Sequence, residues 1–228
     1  MKIRLLTHIL LLTFCLFISN GTSAATSHLL APQLVIENTS HALQEKLKDP
    51  DFAKNKTEIR HFVDEKIFPH VDTVRMSALV LGKHWRKATK AQKIKFIAAF
   101  KDLLINTYSA TFSEQFQNWS IEYLPLNISA NAKSVTVKTI VHQPGKADAK
   151  IDYSMILRKG KWLIYDLKVE GISLIISNRD TFNQMMKNNG SLDAVIAKLK
   201  EKIGAPSYLM KYLGLLSPNI HSHTERIG

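Results

Sequence analysis

The sequence predicts an α+β fold: helices first, then a curled four-stranded antiparallel sheet, then closing helices, with about six to seven helices in all. Three observations carry this. Apolar residues recur at helical spacing from Leu34 to Phe112, the period drops to two from Asn118, and it returns to 3.6 after Glu170. The breaks inside the period-two stretch are too short for anything but hairpins, so its strands must form a meander. Helices first, an antiparallel sheet next and helices last make an α+β fold.

Pro32 sits where a first helical residue belongs, and Leu34 to Lys48 reads as an amphipathic helix with Ile36, Leu43 and Leu47 on one side. Asp49-Pro50-Asp51 is expected to stop it. Thr57 is placed to cap a second helix carrying Ile59, Phe62, Val63 and Ile67, ended by Pro69. Asp72 is placed to cap a third, Thr73 to Leu81, which Gly82 closes. Thr89-Lys90-Ala91-Gln92 has capping-box spacing and opens the fourth helix. Its apolar residues, Phe96, Ile97, Phe100, Leu103, Leu104, Ile105, Tyr108 and Phe112, span roughly 200° of circumference, against the ~100° a surface helix needs. Such a helix packs on two sides.

The strands are expected over Ser120–Ile128, Lys133–Gln143, Ala147–Lys159 and Lys161–Glu170. Val135, Val137, Thr139 and Val141 share one face of the second, and Ile151, Tyr153, Met155 and Leu157 one face of the third. In the fourth, strict alternation puts Leu163, Tyr165, Leu167 and Val169 on one face and Trp162 and Ile164 on the other. Two helices follow, Ser173 to Asn188 and Leu192 to Ile203, closed by Gly190 and Gly204.

The start of the chain has its own logic. A basic Met1-Lys2-Ile3-Arg4 precedes an apolar run from Leu5 to Ile18, and a polar stretch then ends in Ala24-Ala25. These are the three parts of a secretory signal peptide, with cleavage expected after Ala24 or Ala25. A membrane anchor needs about 20 apolar residues, more than this run supplies. Cys15, the single cysteine, lies inside it behind Phe14, where a lipoprotein signal would have a small residue. The mature chain would hold no thiol, so its stability must come from a buried core. Its formal charge falls from +12 to +10 with the loss of Lys2 and Arg4. That basicity suits anionic lipid headgroups or acidic partners, and export argues against nucleic acid.

Chemistry-bearing motifs are scarce. The sequence has no G-x-S-x-G, no H-E-x-x-H, no phosphate-binding loop and no dinucleotide glycine pattern. Asp152, Asp166 and His142 could meet as an acid/base set on a curved sheet. Asp152 alternates opposite its strand's apolar face, however, and Asp166 is equally placed to bind the start of a helix. His221-Ser222-His223 is a weak metal pattern near the chain's end, and neither an enzyme nor a metal site is expected.

Two blocks carry a family resemblance. Val80-Leu81-Gly82-Lys83-His84-Trp85-Arg86-Lys87-Ala88-Thr89-Lys90-Ala91-Gln92, with Phe96, Phe100, Leu104 and Tyr108, resembles the V-L-G-x-x-W-R-x-A-T-x-x-Q…F…F…L…Y signature of the MlaC (toluene-tolerance) family. Trp162-Leu163-Ile164-Tyr165-Asp166-Leu167-Lys168-Val169-Glu170-Gly171-Ile172-Ser173-Leu174, with Asn178, Arg179 and Phe182, resembles its W-x-V-Y-D-V-x-V-E-G-V-S-L…N-x-R-x-x-F block. Lys83-His84 departs from the first pattern, the similarity covers roughly residues 35 to 203, and the tail after Gly204 lies outside it.

The resemblance implies a nuclear-transport-factor-2-like curved sheet wrapped by helices around an apolar lipid cavity. It also implies a monomeric, periplasmic phospholipid carrier that shuttles glycerophospholipid between an outer-membrane MlaA–porin assembly and an inner-membrane ABC transporter presenting MlaD. Bound phospholipid would be cargo, with no cofactor. The organisation expected is a signal peptide at 1–25, a lipid-binding domain at 26–204 and a tail at 205–228. Within the domain, helices occupy about 32–116, the sheet about 118–170 and closing helices about 173–203.

Cavity walls are assigned to Val80, Phe96, Phe100, Leu104, Tyr108, Val137, Ile151, Tyr153, Met155, Ile164, Val169, Ile172 and Leu174. Arg86, Lys87 and Arg179 are assigned to headgroup or partner docking. For the walls, a filled core would use the same residue types; for Arg86 and Arg179, internal ion pairs are the alternative. A binding module or chaperone for another apolar ligand is the competing reading of the whole chain.

Overall fold

The computed structural model describes residues 28–112 and 116–201; the expected signal peptide at 1–25, His221-Ser222-His223 and the tail at 205–228 lie outside them. The chain runs through helices α1 (Ala31–Leu47), α2 (Pro50–Lys54), α3 (Lys56–Phe62), α4 (Thr73–Leu81), α5 (Lys83–Lys87) and α6 (Lys90–Phe112). Strands β1 (Ser120–Tyr123), β2 (Ser134–His142), β3 (Ala149–Arg158), β4 (Lys161–Val169) and β5 (Ile172–Ser173) follow, then α7 (Leu174–Asn189) and α8 (Leu192–Glu201). The fold class is the expected one. The sheet is a five-stranded meander in the order β1-β2-β3-β4-β5, every neighbouring pair antiparallel.

Local chemistry explains the element boundaries, including the unexpected ones. Asp49-Pro50-Asp51 follows the end of α1 at Leu47, as expected, and also starts a new helix: Asp49 accepts from the Asp51 and Phe52 amides, and Pro50 supplies the first turn of α2. Asn55, not Thr57, caps α3, accepting from Thr57 and Glu58. Beyond Phe62 the helix loosens into a π-turn, Val63–Ile67, and a 3-10 turn, Phe68–His70, before Val71. The extra short helices α2 and α5 bring the α-helix total to eight among the described residues, above the expected six or seven. β1 is shorter than expected because Pro125 lacks the amide that a paired strand requires. The added β5 follows a tight turn, in which Glu170 and Gly171 both take positive φ, 48° and 80°.

Other signals read as expected. Thr89 Oγ1 accepts from the Gln92 amide at 3.1 Å while Gln92 Oε1 accepts from the Thr89 amide at 3.0 Å. Asp72 accepts from the Arg75 amide at 2.9 Å and pairs with Arg158 of β3 at 2.8 Å. Its own amide bonds the Ile164 carbonyl, so one residue fastens α4 to two strands.

Asp166 is buried and ties β4 to α7. Its carboxylate accepts from Ser173 Oγ at 2.7 Å and from the Ile175 amide at 3.1 Å, while Ser173 caps Ile176. A carboxylate at a helix start satisfies orphan amides and favours the helix dipole. Asp166→Ala leaves two buried donors unpaired, so it is expected to cost about 2–3 kcal/mol. Urea denaturation should show a lowered midpoint with an unchanged slope.

His142, at the end of β2, lies 3.0 Å from Asp148 and 3.3 Å from Glu122 of β1. The hydrogen bond and charge of Asp148, then those of Glu122, raise its pKa above the ordinary 6.5. A raised histidine pKa stabilises the fold below the unfolded value and loses that contribution as pH rises through the folded one. Thermal melting is therefore expected to drop as pH climbs above about 6.5. His142→Gln should remove that part of the pH dependence.

Candidate functional site

Three apolar clusters organise the interior. The first joins α4, α6, α7 and α8. Val80, Phe96, Phe100, Leu104 and Leu174 are buried there with Phe182, Met185 and Val195, and Tyr108 is half-buried against them. Phe96 and Phe100 stack at 5.8 Å, and Phe182 meets both edge-on, at 5.2 and 5.8 Å. Protein side chains fill this space. The second cluster packs α1, α2, α3 and Ile105 of α6 against Val141 and Ala149, with Ile151 half-buried beside it. Thus α6 does pack on two sides.

The third cluster has a different character. Ile36 of α1 covers Val137, Met155 and Ile164 of the sheet. Around these four buried residues stand seven half-buried apolar ones: Val35, Tyr123, Leu126, Val135, Tyr153, Trp162 and Leu167. In the other two clusters buried residues outnumber half-buried ones. Among the described residues, the seam between α1 and the sheet is therefore the cluster least sealed by the protein's own side chains.

Cross-strand register explains which residues meet there. Val137 lies opposite Tyr153, which lies opposite Leu167; Val135 lies opposite Met155, which lies opposite Ile164. The pairing slips between Ser154 and Met155 because β4 carries an extra residue, Tyr165. This bulge overturns the strict alternation expected of β4, since side chains on either side of it face the same way. Trp162 and Ile164 consequently join Leu167 in one cluster, and Tyr165 lies under the Arg75 guanidinium at 4.5 Å.

Helix α1 is held over this face at both ends. Gln33 donates to the Leu124 carbonyl at 3.2 Å, just past β1. Gln44 donates to the carbonyls of Phe116 and Trp119 at 3.1 and 2.8 Å, just before it. In that cluster the helix meets the sheet through Val35 and Ile36, close to Gln33 at its N-terminal end. Two phenols reach the seam. Burial pushes that of Tyr153 up to about 12. Burial first, then the charge of Glu37, pushes that of Tyr123 higher, so both stay neutral at ordinary pH. The Tyr123 hydroxyl is buried beside Glu37 and Ser40 without a well-formed hydrogen bond. An unmet buried hydroxyl is costly and open to a polar ligand atom.

The thirteen expected wall residues are thus not brought together. Only Val137, Tyr153, Met155 and Ile164 belong to the seam. The helical six belong to the filled cluster, Ile151 to the second, and Val169 is buried opposite Ile151 on the next strand. Ile172 is 37 % exposed in the β4–β5 region. Of the expected docking residues, Arg86 and Lys87 are exposed. Arg179 is not free: its Nε donates to the Leu79 carbonyl at 2.9 Å, joining α7 to the end of α4. The sequence alone does not single out Val35, Tyr123 and Leu126, and it marks Ile36, Val135, Trp162 and Leu167 only as residues of an apolar face. Opposition to Val137 and Tyr153 would have found Leu167, and opposition to Met155 would have found Val135.

His142, Asp152 and Asp166 do not form an acid/base set. His142 is engaged with Asp148 and Glu122, Asp166 with the start of α7, and Asp152 lies between Lys138 and Lys168 in the register. No group able to hold a metal occurs among the described residues.

The fold is a helix-covered antiparallel sheet with a half-sealed apolar seam. The family model for MlaC protein matches residues 37–201, and the chain belongs to the MlaC family. It is 20% identical over 198 residues to the intermembrane phospholipid transport system binding protein MlaC of Haemophilus influenzae, covering 81% of this chain and 92% of that one. Its fold superposes with a TM-score of 0.69 on a phospholipid-binding protein of Ralstonia solanacearum, solved in complex with a phospholipid. That match is 25% identical and covers 75% of this chain and 96% of the other.

Proposed function

We propose that this protein is a periplasmic phospholipid carrier whose acyl-chain site is the seam between α1 and the sheet. The observation that carries the site is the ring of seven half-buried apolar residues around Ile36, Val137, Met155 and Ile164. Each methylene withdrawn from water is worth ~0.8 kcal/mol, so an ordinary acyl chain requires roughly 10 kcal/mol of shelter. Incompletely covered apolar walls gain most from such a guest. The Tyr123 hydroxyl, at the edge of the same ring, would serve an ester or glycerol oxygen. Support for phospholipid as the guest comes from the family and from the lipid complex of the R. solanacearum protein.

The carrier works without a cofactor or a catalytic step, as a monomer, moving glycerophospholipid between an outer-membrane MlaA–porin assembly and an inner-membrane MlaD-bearing transporter. The transport-system name of the H. influenzae relative and the signal-like start at 1–25 support this placement. Phe96, Phe100, Val80, Leu104 and Leu174 form its scaffold rather than its walls. Native mass spectrometry of protein purified without added lipid tests the proposal. Phospholipid adducts are expected; protein that is lipid-free and takes up none from vesicles would refute it, and a different apolar adduct would point to another ligand.

A further inference from the structure

The corner between α5 and α6 is capped by Thr89 and Gln92 but departs from the charge rule for a helix start. Between Asp72 and Asp102 the chain has no acidic residue, and Lys83, Arg86, Lys87, Lys90, Lys93 and Lys95 fall within thirteen positions. A helix start favours carboxylates and disfavours cations, yet the first turn of α6 has no acid and carries Lys90 and Lys93. Among the described residues none of these six cations forms an ion pair. The nearby acid, Asp193 of α8, is engaged by Gln92 at 2.8 Å.

Apolar groups stand among the charges. Ile94 is 60% exposed, the most exposed of the large hydrophobic side chains described. It lies one turn beyond Lys90, at i+4, and so shares that residue's helix face. The Lys93 ammonium lies 5.3 Å from the Trp85 ring centre, which brings α5 and its cations alongside the first turn of α6.

We propose that this corner docks the protein on an anionic phospholipid bilayer surface. Unpaired cations suit phosphate headgroups, while an indole and a protruding aliphatic side chain suit the interfacial layer beneath them. An acidic protein surface would use the charges but leave Ile94 in water. The inference rests on the surface alone and does not depend on what the α1–sheet seam binds.

Flotation with phosphatidylcholine vesicles, with and without phosphatidylglycerol, tests it. The full chain should float only with anionic vesicles and release as salt rises. Binding should fall about fivefold per cation removed, so Lys83→Glu/Lys87→Glu/Lys90→Glu should bind at least ~100-fold more weakly. The matching lysine-to-arginine triple variant should bind normally, which separates charge from misfolding, and Ile94→Asp should weaken binding further. Tyr153→Asp, aimed at the interior, should float like wild type, so the two proposals fail separately. No anionic-vesicle binding, equal binding to neutral vesicles, or loss in the arginine variant would overturn the inference.

Discussion

Phe100→Asp is expected to abolish folding, leaving no cooperative thermal transition in circular dichroism. Phe100 is fully buried, stacked on Phe96 and edge-on to Phe182, at the meeting of α6 and α7. Removing the ring alone, as in Phe100→Ala, costs about 3–5 kcal/mol through lost transfer energy and a residual cavity. The aspartate adds an unpaired charge far from water, which exceeds what remains of a typical 5–15 kcal/mol. A folded, lipid-depleted Phe100→Asp protein would instead place the acyl chains against α6.

Tyr153→Asp is expected to do the opposite: keep the fold and lose the cargo. Tyr153 is half-buried, between Val137 and Leu167 in the register, with its phenol enclosed; the shorter aspartate leaves the space of the phenol to water, which gives its carboxylate a path to solvent in the empty protein. With an acyl chain laid across the seam that path closes. The charge then costs at least about 3 kcal/mol, and lipid occupancy should fall by a factor of 100 or more. Phospholipid per protein, measured after gentle purification beside a native circular-dichroism spectrum, gives both readouts.

The contrast between these positions shows what the sequence makes legible. Caps at Asp72 and Thr89 depend on residues three positions apart, and both do their expected work, while Ser173, expected as the first residue of its helix, is instead its cap. Strand periodicity likewise identifies the apolar faces of β2 and β3. Phe100 and Tyr153 both look like wall residues in one dimension, because a filled core and a ligand site use the same apolar side chains. What separates them is Phe182, eighty-two residues beyond Phe100, whose ring closes the helical cluster. The bulge at Tyr165 adds no distinctive residue type, yet it moves Trp162 and Ile164 onto the face of Leu167. Arg179 read as a surface cation because its acceptor, the Leu79 carbonyl, is backbone and has no sequence signature.

Photocrosslinking addresses the location of the acyl chains most directly. A phospholipid bearing a diazirine near the end of one chain would be loaded from vesicles, irradiated, and the labelled peptides mapped by mass spectrometry. Labels should fall on α1 near Val35 and Ile36 and on β2 to β4 near Val137, Tyr153, Met155 and Trp162, the residues of the half-sealed seam. Labels concentrated on α6, α7 and α8 around Phe96, Phe100 and Phe182 would contradict the account and return the cargo to the helical cluster.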